Sequence, residues 1–125
     1  MHTTPHPILF GIPNCNTVKK ARDWLAEQGI DFTFHDFKKS GVSAADITHW
    51  LRFHPIEKLL NRKGTTWRNL PAPTQASAAD PEQAIALMIA HPSVIKRPVL
   101  VLPHTVLLGF DAAIYHTTLL EKHAL

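Results

Sequence analysis

One sulfur dominates the chemistry this sequence can offer. Cys15 is the sole cysteine of the chain. It falls where an apolar run, Ile8-Leu9-Phe10, gives way through Gly11 and Pro13 to a helical pattern. A helix start carries unpaired N–H groups and roughly half a positive charge, so it favours an anion. A thiolate placed there is stabilised, and the Cys15 pKa is expected below that of a free thiol. Lys19, one helical turn further on, is expected to add a second positive charge on the same face. The competing reading is a small buried cysteine that packs as a hydrophobe. Without a Cys-x-x-Cys pair no internal disulfide can form, so a redox cycle at Cys15 needs an outside thiol such as glutathione or a partner protein.

Two other groups of residues could bind charge. Arg97 precedes Pro98, which restricts it to extended backbone, and an Arg held there can grip a carboxylate or oxyanion with its planar fork. Arg62, Lys63 and Arg68 share a loop with Trp67, a rigid aromatic beside cations that suits an anion or a partner. The alternative for that loop is a solvated surface with Trp67 tucked into the core. The nine histidines form no ligand set: His49 and His54 are five apart and fall on different helix faces, and no His-Glu-x-x-His occurs. Glycine-rich phosphate loops and nucleophile elbows are likewise missing from the sequence.

The elements that must position these groups follow from periodicity. Ile8-Leu9-Phe10 reads as a buried strand. Val18, Ala21 and Leu25 form the apolar stripe of a first helix. Gly29 and Ile30 read as its Schellman-like stop, with Ile30 set to touch Leu25. Asp31 to His35 alternates as a second strand, and strand–helix–strand in so short a span predicts a parallel βαβ unit. Ser43 and Asp46 form a capping box with Asp in place of Glu, Val42 and Ile47 a hydrophobic staple, and the helix is expected to run to about His54, before Pro55. Asn61 to Pro73 reads as a polar loop apart from Trp67 and Leu70. Asp80-Pro81 opens a helix that ends before Pro92. Pro98–Leu102 and Thr105–Gly109, broken by Pro103-His104, read as an antiparallel hairpin. Asp111 caps a last helix with Phe110 and Tyr115 as its staple. The order is β-α-β, helices, then β-β-α: a mixed sheet with helices on its faces, an α/β architecture.

The 125 residues suit one domain with its own core. Hydrophobic residues make up 45% and charged residues 18%, which excludes a disordered chain. The net charge of +3 is scattered in pairs and triplets, which argues against a nucleic-acid tail and leans weakly towards a small anionic ligand. No apolar run is long enough for a membrane span. Residues 1–6 show no secretory pattern and read as a loose terminus. A reducing, cytoplasmic setting is the expectation for a lone free thiol.

Four segments together carry a resemblance: Phe10 to Cys15, Lys19-Lys20-Ala21, Leu60 to Arg68, and His91 to Pro98. They resemble the ArsC/Spx family, and most of all its YffB-type arsenate reductase-like members, over about residues 7 to 120. The resemblance implies a thioredoxin-like fold, a mixed four-stranded sheet with a helical insertion at about residues 40–90. It implies Cys15 as nucleophile, Arg97 as a second catalytic residue, and a cis Arg97–Pro98 bond with Pro98 facing the thiol. Asn14, Thr17, Lys19, Arg62 and Pro98 are then the candidate substrate-binding residues. In arsenate reductases of the family, further arginines hold the oxyanion; one falls near Asn61 or Arg62 and another near Val106, which is not basic. YffB-type members look like glutathione-dependent monothiol reductases without a bound cofactor or metal, taking a small oxyanion or thiol substrate and served by glutathione or a glutaredoxin. Arsenate reduction is the alternative enzyme reading. The Spx-like branch implies instead a non-enzymatic protein that binds RNA polymerase.

Overall fold

The structure is a computed structural model and describes residues 6–121; most of the segment read as a loose terminus lies outside them. Strand β1 (Ile8–Gly11) leads into helix α1 (Asn16–Glu27) and strand β2 (Thr33–Asp36). Six helices follow: α2 (Phe37–Ser40), α3 (Ala44–Trp50), α4 (Ile56–Leu59), α5 (Thr65–Arg68), α6 (Ala72–Ser77) and α7 (Pro81–Ala90). A 3-10 turn over Pro92–Val94 precedes β3 (Val99–Val101) and β4 (Val106–Leu108), and α8 (Ala112–His116) continues into a wider π turn over Thr117–Glu121. The sheet order is β2-β1-β3-β4. β1 and β2 run parallel, while β3 is antiparallel to both β1 and β4.

Strand alternation divides the core in two. Phe10 and Val99 face one layer, where they pack with Phe37, Ile47, Trp50 and Met88 of the intervening helices. Leu9 and Leu100 face the other, against Ala21 and Leu25 of α1 and Tyr115 and Leu119 of the last helix. Trp24 and Phe110 meet the Tyr115 ring edge-on, at 5.6 and 4.9 Å between centroids, so an aromatic trio from α1, α8 and the residue before the α8 cap joins the second layer.

The local signals act as their chemistry predicts. The Gly29 N–H donates to the Ala26 carbonyl and the Ile30 N–H to the Leu25 carbonyl, both at 3.0 Å. That is the Schellman pair, and Gly29 supplies the required positive φ of 70°. The Ser43 hydroxyl accepts from the Asp46 N–H at 3.0 Å and the Asp46 carboxylate from the Ser43 N–H at 3.3 Å. Val42 and Ile47 are both buried in the first layer. In the hairpin Val99 pairs with Leu108 and Val101 with Val106, and the Leu102 N–H donates to the Thr105 carbonyl across Pro103-His104.

Three expectations need correction. β2 begins at Thr33, not Asp31, because its partner β1 begins at Ile8; the Thr33 N–H donates to the Pro7 carbonyl at 2.9 Å, where the pairing starts. Asp36 pairs with Gly11 and also caps α2, accepting from Lys38 and Lys39. Helix α3 stops at Trp50; beyond it Arg52 and Phe53 tighten to i→i−3 bonds, onto His49 and Trp50, while Leu51 and His54 keep i→i−4 bonds, and the backbone before Pro55 is disfavoured in a helix. The span read as a polar loop, 61–73, contains α5 and the start of α6. Four residues are too few to show a helical period; what holds α5 is Trp67, buried in the first layer.

Candidate active site

Cys15 occupies the N-cap of α1 with extended backbone, and its carbonyl accepts the Lys19 N–H at 2.9 Å. As a thiol, the sulfur makes no capping hydrogen bond. As a thiolate it gains several partners. Partial burial by itself would push its pKa up, but the Val18 N–H, the Arg97 guanidinium, the Thr17 N–H and the Arg97 charge together outweigh that and hold it below the ordinary thiol value. The two N–H groups are the orphan donors of the first helical turn. The sulfur is half-buried, open on one side.

That side is a cavity of about 410 Å³, lined by Cys15, Thr17, Asn61, Lys96, Arg97 and Asp111, with Leu108, Gly109 and Phe110 completing the wall. Arg97 is half-buried. Its Nη1 donates to the Ser93 carbonyl at 3.1 Å, which fixes the side chain. Among the described residues, its Nε is the one buried side-chain nitrogen or oxygen with no protein partner. Such a donor costs roughly 1–3 kcal/mol unless something accepts from it. The Arg97–Pro98 peptide bond is cis, and Pro98 is buried. The Pro98 carbonyl accepts the Gly109 N–H at 2.8 Å, and the Gly109 carbonyl accepts the Tyr115 hydroxyl at 3.1 Å, so the cavity wall is tied to the second core layer. Burial pushes the Tyr115 phenol well up, and it stays a neutral donor.

The opposite wall comes from far along the chain. Leu60 and Ile95 form an isolated antiparallel bridge. Beside it the Asn61 N–H donates to the Val94 carbonyl at 2.7 Å and the Lys96 N–H to the Leu59 carbonyl at 2.8 Å. The bridge sets Asn61 and Lys96 next to Arg97 and Cys15.

Of the residues singled out in the sequence, the structure brings Cys15, Thr17 and Arg97 around one cavity. Asn14 is exposed and outside that lining. Lys19 turns away: its Nζ pairs with the Asp23 carboxylate at 2.7 Å, with the lysine side chain 71% exposed. The i,i+4 geometry that suggested Cys15 as its neighbour serves Asp23 equally well, and a full carboxylate is the stronger partner. Arg62 lies in an adjoining cavity, its guanidinium 5.5 Å from the Trp67 ring centroid, while Asn61 lines both. Lys96 and Asp111 were not picked out as site residues. Lys96 carried one signal, adjacency to Arg97 in an extended segment; Asp111 was legible only as a helix cap, a role it also fills by accepting from Ala113 and Ile114. Among the described residues no group of three His, Cys, Asp or Glu side chains could hold a metal ion.

A parallel βαβ unit followed by an antiparallel hairpin and helix, with a lone cysteine at the first helix N-cap beside a cis-proline, defines a thioredoxin-like protein of the single-thiol kind. The ArsC family profile matches residues 10–118, and the chain belongs to that family. It is similar to the solved structure of a protein named YFFB, at 42% identity and a TM-score of 0.86 over 90% of this chain and 98% of that one. It is also similar to an arsenate reductase (ArsC) related protein from Brucella melitensis, at 44% identity and a TM-score of 0.70 over 94% and 97%. An uncharacterized protein of Haemophilus influenzae is 35% identical over 86% of this chain and 93% of its own. The global transcriptional regulator Spx of Streptococcus pyogenes is 25% identical over 82% of this chain and 77% of its own.

Proposed function

We propose that this chain is a monothiol reductase with the Cys15 thiolate as nucleophile and glutathione as co-substrate. The observation that supports it most is the pairing of Cys15 with Arg97 at the edge of an open cavity, where the guanidinium both favours the thiolate and retains an unused buried N–H. Cys15 Sγ attacks the glutathione sulfur of a mixed disulfide R–S–S–G. A Cys15–glutathione disulfide forms, and R–S⁻ leaves and takes a proton. A second glutathione thiolate, or a glutaredoxin thiolate, then attacks that disulfide and restores the Cys15 thiolate. One R–S–S–G is thereby reduced to R–SH while the attacking thiol is oxidised to a disulfide. Arg97 and Lys96 hold substrate carboxylates, and the Thr17 and Val18 N–H groups hold the returning thiolate.

The test is mass spectrometry after treatment with oxidised glutathione, followed by turnover of a glutathione mixed disulfide. One glutathione adduct on Cys15 is expected. Cys15→Ser abolishes turnover, and Arg97→Ala lowers it roughly 10- to 100-fold, the scale of a lost charge-assisted hydrogen bond. An unmodified protein that gains no adduct overturns the reading.

Arsenate fits less well. The position where the family resemblance would place another arginine is Val106, buried in β4 at 1% exposure, and the Asp111 carboxylate shares the cavity. The likeness to Spx regulators favours a second reading, a binding module for RNA polymerase. Recovery of RNA polymerase on the immobilised protein, with no disulfide turned over, would support it.

A further inference from the structure

The cavity at Cys15 does not end at Asn61 and Lys96. A second cavity of about 470 Å³ opens on their other side and shares Asn61, Lys96 and Leu108 with the first. Its charged lining is Lys58, Arg62, Lys63 and Lys96 against a single carboxylate, Glu57. Four cations against one anion give this one groove a net charge of +3, as much as the whole chain carries, and charge of one sign so concentrated attracts the other.

The groove is also built rather than incidental. Its floor rests on the Leu60–Ile95 bridge, and Arg62 lies over the ring of Trp67, which is 8% exposed, so its guanidinium is braced before any ligand arrives. Asn61 is pinned from both ends, its N–H to Val94 and its carbonyl to the Gly64 N–H. A cavity of about 410 Å³ already suits a ligand the size of a small thiol peptide. A contiguous cationic extension calls for a longer substrate.

The geometry points to the second cavity as a docking subsite for an acidic polypeptide segment whose glutathione mixed disulfide is opened at Cys15. This rests on the reductase reading above and names its substrate: a glutathionylated cysteine flanked by Asp and Glu. Cys15 Sγ attacks the glutathione sulfur, and the peptide cysteine leaves as a thiolate and is protonated. Free glutathione then regenerates Cys15 and departs as glutathione disulfide. Lys58, Arg62 and Lys63 neutralise the acidic flank while Lys96 and Arg97 face the glutathione portion. Lys96 and Arg97, consecutive in the chain, both line the cavity that holds Cys15, whereas Lys58 and Lys63 line only the second cavity.

Two synthetic peptides test this, Glu-Asp-Glu-Cys-Glu-Asp-Glu and Gln-Asn-Gln-Cys-Gln-Asn-Gln, each as its glutathione mixed disulfide. The full-length protein is expected to favour the acidic peptide by roughly three- to tenfold in kcat/KM at low ionic strength, with the preference shrinking as salt rises. In Lys58→Glu/Lys63→Glu the ratio falls to about one or inverts. Turnover of both peptides at equal kcat/KM overturns the subsite and leaves the reductase reading standing. If neither peptide is turned over, the reductase reading fails, and fluorescence anisotropy of the reduced, alkylated peptides with Cys15→Ser protein decides the groove separately. Salt-sensitive binding of the acidic peptide alone, lost in the double variant, supports it; equal binding of the two removes it.

Discussion

At the scale of single residues, Cys15 and Arg97 act as a unit while Lys19 does not. The folded protein binds the Cys15 proton less tightly than the unfolded chain, because donors gather around the ionised sulfur. Alkylation rate against pH is therefore expected to show a midpoint below the roughly 8.5 of a free thiol. Arg97→Ala moves that midpoint upward, since it deletes both a hydrogen bond and a charge that favour the thiolate. Lys19→Ala leaves it in place, because that ammonium is held by Asp23 on the solvent side; a clear upward movement in Lys19→Ala would refute this assignment. The same linkage has a stability consequence. With the folded pKa depressed, Cys15 contributes stability above the unfolded value, and the contribution fades as pH falls through the folded value. Urea midpoints measured across that window should rise with pH in the unmodified protein more than in Cys15→Ser.

At the scale of elements, the site depends on how closely β1 approaches α1. A Cβ built on Gly11 would lie 2.8 Å from Val18 Cγ2 and 3.0 Å from Cγ1. Val18 is fully buried and β-branched, with little freedom to turn aside. Gly11→Ala is therefore expected to destabilise by about 1–3 kcal/mol and to displace the helix start that holds the sulfur. Denaturation and alkylation rate should change together. Ser43→Ala removes one arm of the α3 capping box at a cost of about 1 kcal/mol, with alkylation at Cys15 unaltered. These elements also show what a sequence can disclose. The α3 box, the Gly29 stop and the β3–β4 turn rest on groups three to five residues apart, and their residue types announced them. The short helix α5 and the wall made by Asn61 and Lys96 rest on contacts between distant segments, for which no local pattern exists. Lys19 shows a related limit: helical spacing says which residues can meet, and Asp23 at the same spacing takes its ammonium.

At the scale of the whole molecule, the sheet is a partition with a separate core on each side, and Phe10 joins it to the intervening helices. Its ring meets Trp50 edge-on at 4.9 Å between centroids, and His35 at 4.6 Å. Trp50 is 1% exposed. Trp50→Ala should cost about 3–5 kcal/mol in chemical denaturation; a loss under 1 kcal/mol would mean that layer repacks without it. The family resemblance made this overall architecture legible from four short segments, and the two-strand, one-helix opening was legible from periodicity alone. The second cavity was legible only in part: the loop of Arg62, Lys63 and Trp67 reads as basic and suited to an anion or a partner, but Lys58 joins it only once the helices between β2 and β3 fold back.

The Leu60–Ile95 bridge has a temporal meaning as well as a spatial one. A chain emerging from the ribosome completes its first strand, helix and strand early, and Cys15 is then present without Asn61, Lys96 or Arg97. Closure of so long a loop is the slow kind of contact. Until the segment around Arg97 is made, the nascent sulfur has only the Thr17 and Val18 N–H groups to favour its thiolate, and the guanidinium and the far wall of the cavity come later.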